Sequence, residues 1–120
     1  MFEFINILSQ VHVQIGGVRP VFATVLRFKT KQFQTPFRLQ YLGLSDDGQL
    51  IFSDGVHSYG CSVSKSYAKS FLNGVFKPNT VFNVLECSRE KGAPQNVTLS
   101  NLQVTPSHLT FVIGKPKPYV

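Results

Sequence analysis

The sequence predicts an all-β domain with short helices, built as a small closed barrel of five strands. Three observations predict it. First, two Asp-Gly pairs, Asp47-Gly48 and Asp54-Gly55, lie seven residues apart. Asp-Gly supplies the positive φ angles of tight hairpin turns, so each pair marks a chain reversal, with the short strand Gln49 to Phe52 between them. Second, a helical pattern at 65–73 is followed by further strand-like runs such as Thr80-Val81-Phe82-Asn83-Val84-Leu85. Third, the chain holds eleven Phe and four Tyr but no Trp, and aromatic and β-branched residues favour strands.

Each element follows from its local pattern. In residues 2–12 the apolar positions Phe4, Ile5, Leu8 and Val11 have helical spacing and predict a short helix ending before Gly16-Gly17. From Val21 to Lys31 the pattern alternates: Leu26 and Phe28 face one side, Arg27, Lys29 and Lys31 the other. That is a half-buried strand with a cationic outer face. After the loop 32–36, Phe37, Leu39 and Tyr41 alternate with Arg38, Gln40 and Leu42 in a second strand. Strands at 49–52 and 56–63 follow the two turns. Ser64 is the expected N-cap of the 65–73 helix, Tyr67, Ala68, Phe71 and Leu72 its apolar face, and Gly74 its C′ residue. Strands at 80–90, 96–104 and 109–113 complete the chain, before a proline-rich extended tail. A helix between the third and fourth strands of a five-stranded Greek-key barrel is the plan of an OB-fold.

At 120 residues the chain is a single domain, and its 42% hydrophobic content suffices for one core. No stretch approaches the roughly 20 apolar residues of a membrane span, so no membrane partner is expected. Cys61 and Cys87 are isolated and read as reduced, buried thiols, which favours an intracellular compartment. The net charge is +6, a balance suited to an anionic partner. Five cations and no acid fall between Arg19 and Arg38.

No catalytic constellation is visible, and the expectation is a non-enzymatic binding module without cofactor or metal. His12, His57 and His108 are dispersed and lack metal-ligand spacing. Asp46-Asp47, beside Gly48, is turn chemistry. No glycine-rich phosphate loop precedes a helix.

The Phe52-Ser53-Asp54-Gly55 turn, the helix after the following strand and the ending Ile113-Gly114-Lys115-Pro116-Lys117-Pro118-Tyr119 together carry a resemblance. The chain resembles, over nearly its whole length, the N-terminal OB domain of the large (70 kDa) subunit of replication protein A, or a close paralogue. The resemblance implies an N-terminal protein-interaction domain over 1–120, with 113–120 as a tail leading to a linker. It implies nuclear work in DNA replication, repair and the DNA damage response. Partners would be acidic amphipathic segments of DNA-damage and checkpoint proteins, weakly bound single-stranded DNA, and the other subunits of the complex.

By the same resemblance Lys29 takes the place of a cleft Arg and Lys91 lies near a cleft Lys, while Cys61 and Val63 floor the cleft. Arg27, Lys31 and Arg89 extend its charge, Arg89 as compensation for a cation absent near Pro94 and Gln95. The family's paired Arg residues before the turn fall on Asp47 and Gln49 if no gap is allowed. If 43–50 is an inserted hairpin, Arg38 takes one of those places. The alternative function is direct single-stranded DNA binding, as in a telomere-related paralogue, which needs exposed rings for stacking, with Phe33, Phe37, Tyr41 and Tyr59 as candidates.

Overall fold

The computed structural model describes Val18 and residues 36–90 and 93–118. The expected helix at 2–12 and strand at 21–31, with Arg27, Lys29 and Lys31, lie outside the described residues, as does Lys91.

Strand β1 spans Phe37–Leu44 and β2 spans Leu50–Ser53. The turn between them is closed by the Gly48 amide donating to the Ser45 carbonyl at 2.9 Å. Gly48 takes φ 81°, a conformation that glycine adopts without a Cβ penalty. Strand β3, His57–Gly60, follows the second Asp-Gly turn. There the Asp54 carboxylate accepts from the amides of Val56 (2.9 Å) and His57 (2.7 Å). This Asx-type cap is why an Asp can be fully buried at this corner.

Strand β4 is only Ser62–Val63, and helix α1 runs Lys65–Leu72. Strands β5 (Thr80–Glu90) and β6 (Ala93–His108) form the longest antiparallel pair, and β7 is Lys117–Pro118. The described residues are thus mostly β-sheet with one short helix. No helix among them is long and apolar enough to cross a membrane.

The seven strands among the described residues belong to one sheet, in the order β4-β6-β5-β1-β2-β3-β7. They depart from the expected strands in three places. The stretch 56–63, expected as one strand, is broken at Cys61 into β3 and β4. The tail adds β7, which pairs in parallel with His57 and Ser58. The strand expected at 109–113 does not form. These residues dock through a side chain rather than a backbone ladder: the Ile113 amide donates to Gln40 Oε1 at 2.8 Å.

The core is aromatic. Phe71 of α1 lies 4.8 Å from the Tyr41 ring, 4.9 Å from Phe76 and 5.3 Å from Phe82, centroid to centroid. Edge-on contacts of this kind add to what burial alone contributes. Leu39, Phe52, Val84, Val97 and Leu99 complete this core. A smaller cluster of Val18, Val81 and Ile113 lies apart from it. Gln40, which alternates with Leu39 and Tyr41 along β1, is fully buried as well.

Helix α1 follows the expected bounds within one residue. Gly74 takes φ 73° as the C′ residue, and its amide donates to the Phe71 carbonyl at 3.2 Å. Ser64 does not cap the helix with its side chain; its hydroxyl pairs with that of Ser66 at 3.0 Å. Tyr67 pins the helix to β6, its hydroxyl donating to Asn101 Oδ1 at 3.2 Å and accepting from the Leu102 amide at 3.3 Å. Leu72, assigned by spacing to the core face, is instead 64% exposed.

Candidate functional site

A groove of about 220 Å³ opens where the β1–β2 turn, β4 and α1 meet. Its floor is Leu50, Cys61 and Val63, and its helical wall is Ala68 and Leu72. Gly48 and Gln49 supply the opposite wall. Each contribution has a local cause. The Cys61 amide donates to the Leu50 carbonyl at 3.0 Å, which holds the break in strand 57–63 against the start of β2. Val63 pairs with Leu99 of β6, fixing the other side. The Ser64 amide, bonded to the Leu99 carbonyl at 3.2 Å, starts α1 next to that strand.

Helix geometry sets the charge around this groove. At 100° per residue, Tyr67 and Phe71 lie within 40° of each other and take the core side. Lys65, Ala68, Lys69 and Leu72 fall on the opposite side, within about 100° of arc. Lys65 and Lys69 are both exposed. Across the groove the turn that supplies Gly48 carries Asp46 and Asp47, exposed as well. The Ser45 hydroxyl donates to the Asp47 carboxylate and, as the main cause, holds its pKa below the ordinary value, so Asp47 keeps its charge.

Burial pushes the Cys61 thiol well above its usual range, with a smaller contribution from nearby Cys87. Cys61 therefore serves as an apolar floor rather than a nucleophile. Burial also raises the pKa of the Tyr41 hydroxyl. Among the described residues, no three His, Cys, Asp or Glu side chains come together to hold a metal ion.

Of the site residues expected from the sequence, Cys61 and Val63 come together in the groove. Arg38 does not join them. It is half-buried on β1, opposite Asn83 of β5, six residues before Leu44 and so about 20 Å away along an extended strand. Arg89 is in β5, but its side chain lies outside the described part. Sequence reasoning missed Lys65, Lys69 and the outward turn of Leu72. The signal was present in the Lys65-x-x-x-Lys69 spacing. The stacking candidates Phe37 and Tyr59 pack against the core, and Tyr41 is part of it; Phe33 lies outside the described residues.

No protein-family model matches this chain, and no curated protein matches it.

Proposed function

We propose that this chain is the docking module of a replication protein A-like single-stranded DNA-binding complex. It is an OB barrel that captures acidic amphipathic segments of replication, repair and checkpoint proteins in the nucleus and catalyses no reaction. The observation that carries this reading is the make-up of the groove. Leu50, Cys61, Val63, Ala68 and Leu72 give it a largely apolar lining with Ser62 and Gln49 at its side, the helix that walls it carries the exposed Lys65 and Lys69, and Phe37, Tyr41 and Tyr59 are committed to the core. Flat exposed rings would suit bases; aliphatic side chains beside lysines suit an amphipathic peptide.

The barrel part of the proposal is supported by connectivity. One stretch, 57–63, pairs with β2 through β3 and in parallel with β6 through β4. It therefore joins β6, near one end of the strand order, to β2, near the other, as the third strand of an OB barrel does. Arg38 lies on β1 away from the groove, so the positive charge nearest the groove in this reading is that of Lys65 and Lys69 on α1. Lys29, Lys31 and Lys91 would extend the same positive field. Charge steers and orients the ligand, while apolar burial at about 25 cal/mol per Å² provides most of the affinity.

The test is titration of one acidic helical peptide and one short oligonucleotide at the same salt. The peptide should bind with micromolar affinity at best, weakening as salt screens exposed charges beyond about 8–10 Å. The double variant Lys29→Glu/Lys91→Glu should bind it much more weakly while remaining folded. Tight oligonucleotide binding with a steep salt slope and no peptide binding would overturn the reading in favour of direct DNA binding.

A further inference from the structure

The two elements that wall the groove carry exposed charge of opposite sign, Lys65 and Lys69 on α1 and Asp46 and Asp47 in the β1–β2 turn, and this specifies its occupant more closely than a basic cleft does. We infer that it seats one apolar anchor residue of an amphipathic helix whose two flanks carry opposite charge, acidic toward α1 and basic toward the β1–β2 turn. The inference rests on the docking reading above and narrows its partner.

Size argues for an anchor. About 220 Å³ falls below the roughly 300–1,000 Å³ of small-molecule sites. It suits a single large side chain of the kind that anchors protein interfaces. The lining is apolar on the floor and on the helical wall, and Leu72 is already 64% exposed, so an incoming aliphatic or aromatic side chain would cover surface now facing water.

Charge argues for the two flanks. Lys65 and Lys69 are four residues apart, one helical turn, so both present their charge along the same wall. The opposite wall is Gly48 and Gln49, and the exposed Asp46 and Asp47 immediately precede them in the same turn. An incoming helix lying between them exposes one flank to each wall. Glu or Asp on both flanks would meet Asp46 and Asp47 with like charge. Glu on one flank and Lys or Arg on the other meets complementary charge on both sides, and such complementarity sets register and orientation.

The experiment uses the full chain and three helical peptides sharing one Leu-x-x-x-Phe stripe. One has Glu on one flank and Lys on the other, one has Glu on both, and one has the two-signed charges with both stripe residues replaced by Ser. Binding is read by fluorescence polarisation. The two-signed peptide should bind roughly three- to tenfold more tightly than the all-Glu peptide, the sum expected of several exposed pairs. The stripe-less peptide should not bind. In Asp46→Lys/Asp47→Asn, where Asn still accepts the Ser45 hydroxyl, the preference should reverse toward the all-Glu peptide. In Lys65→Glu/Lys69→Glu both walls are acidic, so the two-signed and all-Glu peptides should both bind more weakly than to the unmodified chain, with the two-signed peptide still ahead. Equal or tighter binding of the all-Glu peptide by the unmodified chain, an unchanged ratio in Asp46→Lys/Asp47→Asn, or unchanged affinities in Lys65→Glu/Lys69→Glu overturns the two-signed occupant and leaves the docking reading intact. Binding of no peptide overturns both.

Discussion

Gln40 reaches 73 residues along the chain to hold Ile113. Its Oε1 accepts the Ile113 amide at 2.8 Å, while its Nε2 donates to the Phe111 carbonyl at 2.8 Å and the Asn79 carbonyl at 3.1 Å. One buried amide thus joins β1, the segment before β5 and the approach to the tail. An amide suits the position because it donates and accepts at once. Gln40→Leu keeps much of the volume but strands three backbone groups. Only the Ile113 amide bond is buried, the two carbonyl bonds being part-buried and open to rehydration, so the domain should be destabilised by about 2–4 kcal/mol at roughly 1–3 kcal/mol per fully unsatisfied buried group. Urea unfolding measures this, and amide exchange at Ile113 should accelerate in parallel.

Gly114 takes φ 69°, and a Cβ there would stand 2.2 Å from the Gly55 carbonyl oxygen. Two penalties coincide, a left-handed conformation and a clash with backbone that cannot rotate away. Gly114→Ala should cost more than the roughly 1–2 kcal/mol of the conformation alone. Thermal unfolding should register the loss. Gly48→Ala, where nothing lies within 4 Å, should cost only the conformational part.

The buried Cys61 thiol makes stability depend on alkaline pH. Its folded pKa is raised, so above the ordinary thiol value of about 8.5 the unfolded chain releases a proton that the folded chain keeps. The unfolded state then binds fewer protons, and stability falls with rising pH by up to about 1.4 kcal/mol per unit. Cys61→Ala should lower stability at pH 7 but flatten this decline. Urea unfolding at a series of pH values from neutral upward separates the two effects. A slope unchanged by the substitution would refute it.

Asp47 makes the opposite prediction at the acid end. Its depressed pKa has the Ser45 hydroxyl as leading cause, so the carboxyl should titrate below the ordinary range in NMR. The associated stabilisation is present above the unfolded pKa and fades as pH falls through the folded one. Ser45→Ala should return the titration toward the ordinary value.

Local chemistry in the sequence located most elements. Both Asp-Gly turns, helix α1 with Gly74 at its end, and the strand at 80–90 stand where turn residues and periodicity placed them. What escaped was tertiary. Gln40 alternates with Leu39 and Tyr41 along β1, and only the return of residues 109–113 makes its face an interior. Leu72 belongs to the apolar arc of its helix, but Phe71 and Tyr67 fill the space against the core and turn it outward. At the candidate groove, Cys61 and Val63, which the resemblance named together, share one lining. Lys65 and Lys69 escape the sequence reading, because their nearness to the groove depends on how α1 lies beside the start of β2.

The pairing of β7 with β3 bears on how the sheet avoids its own kind. An open strand edge is a template on which another molecule can add a strand. Here the free side of His57 and Ser58 is taken by Lys117 and Pro118, with the Lys117 amide donating to the Val56 carbonyl at 3.0 Å. The residue pair that terminates the sheet is itself poor at continuing it: proline has no N–H to offer, and an exposed lysine repels a copy of itself. The tail therefore works as a gatekeeper. A chain shortened before Lys115 should show an increased tendency to self-associate through strand edges, in concentration-dependent light scattering, even where its fold survives.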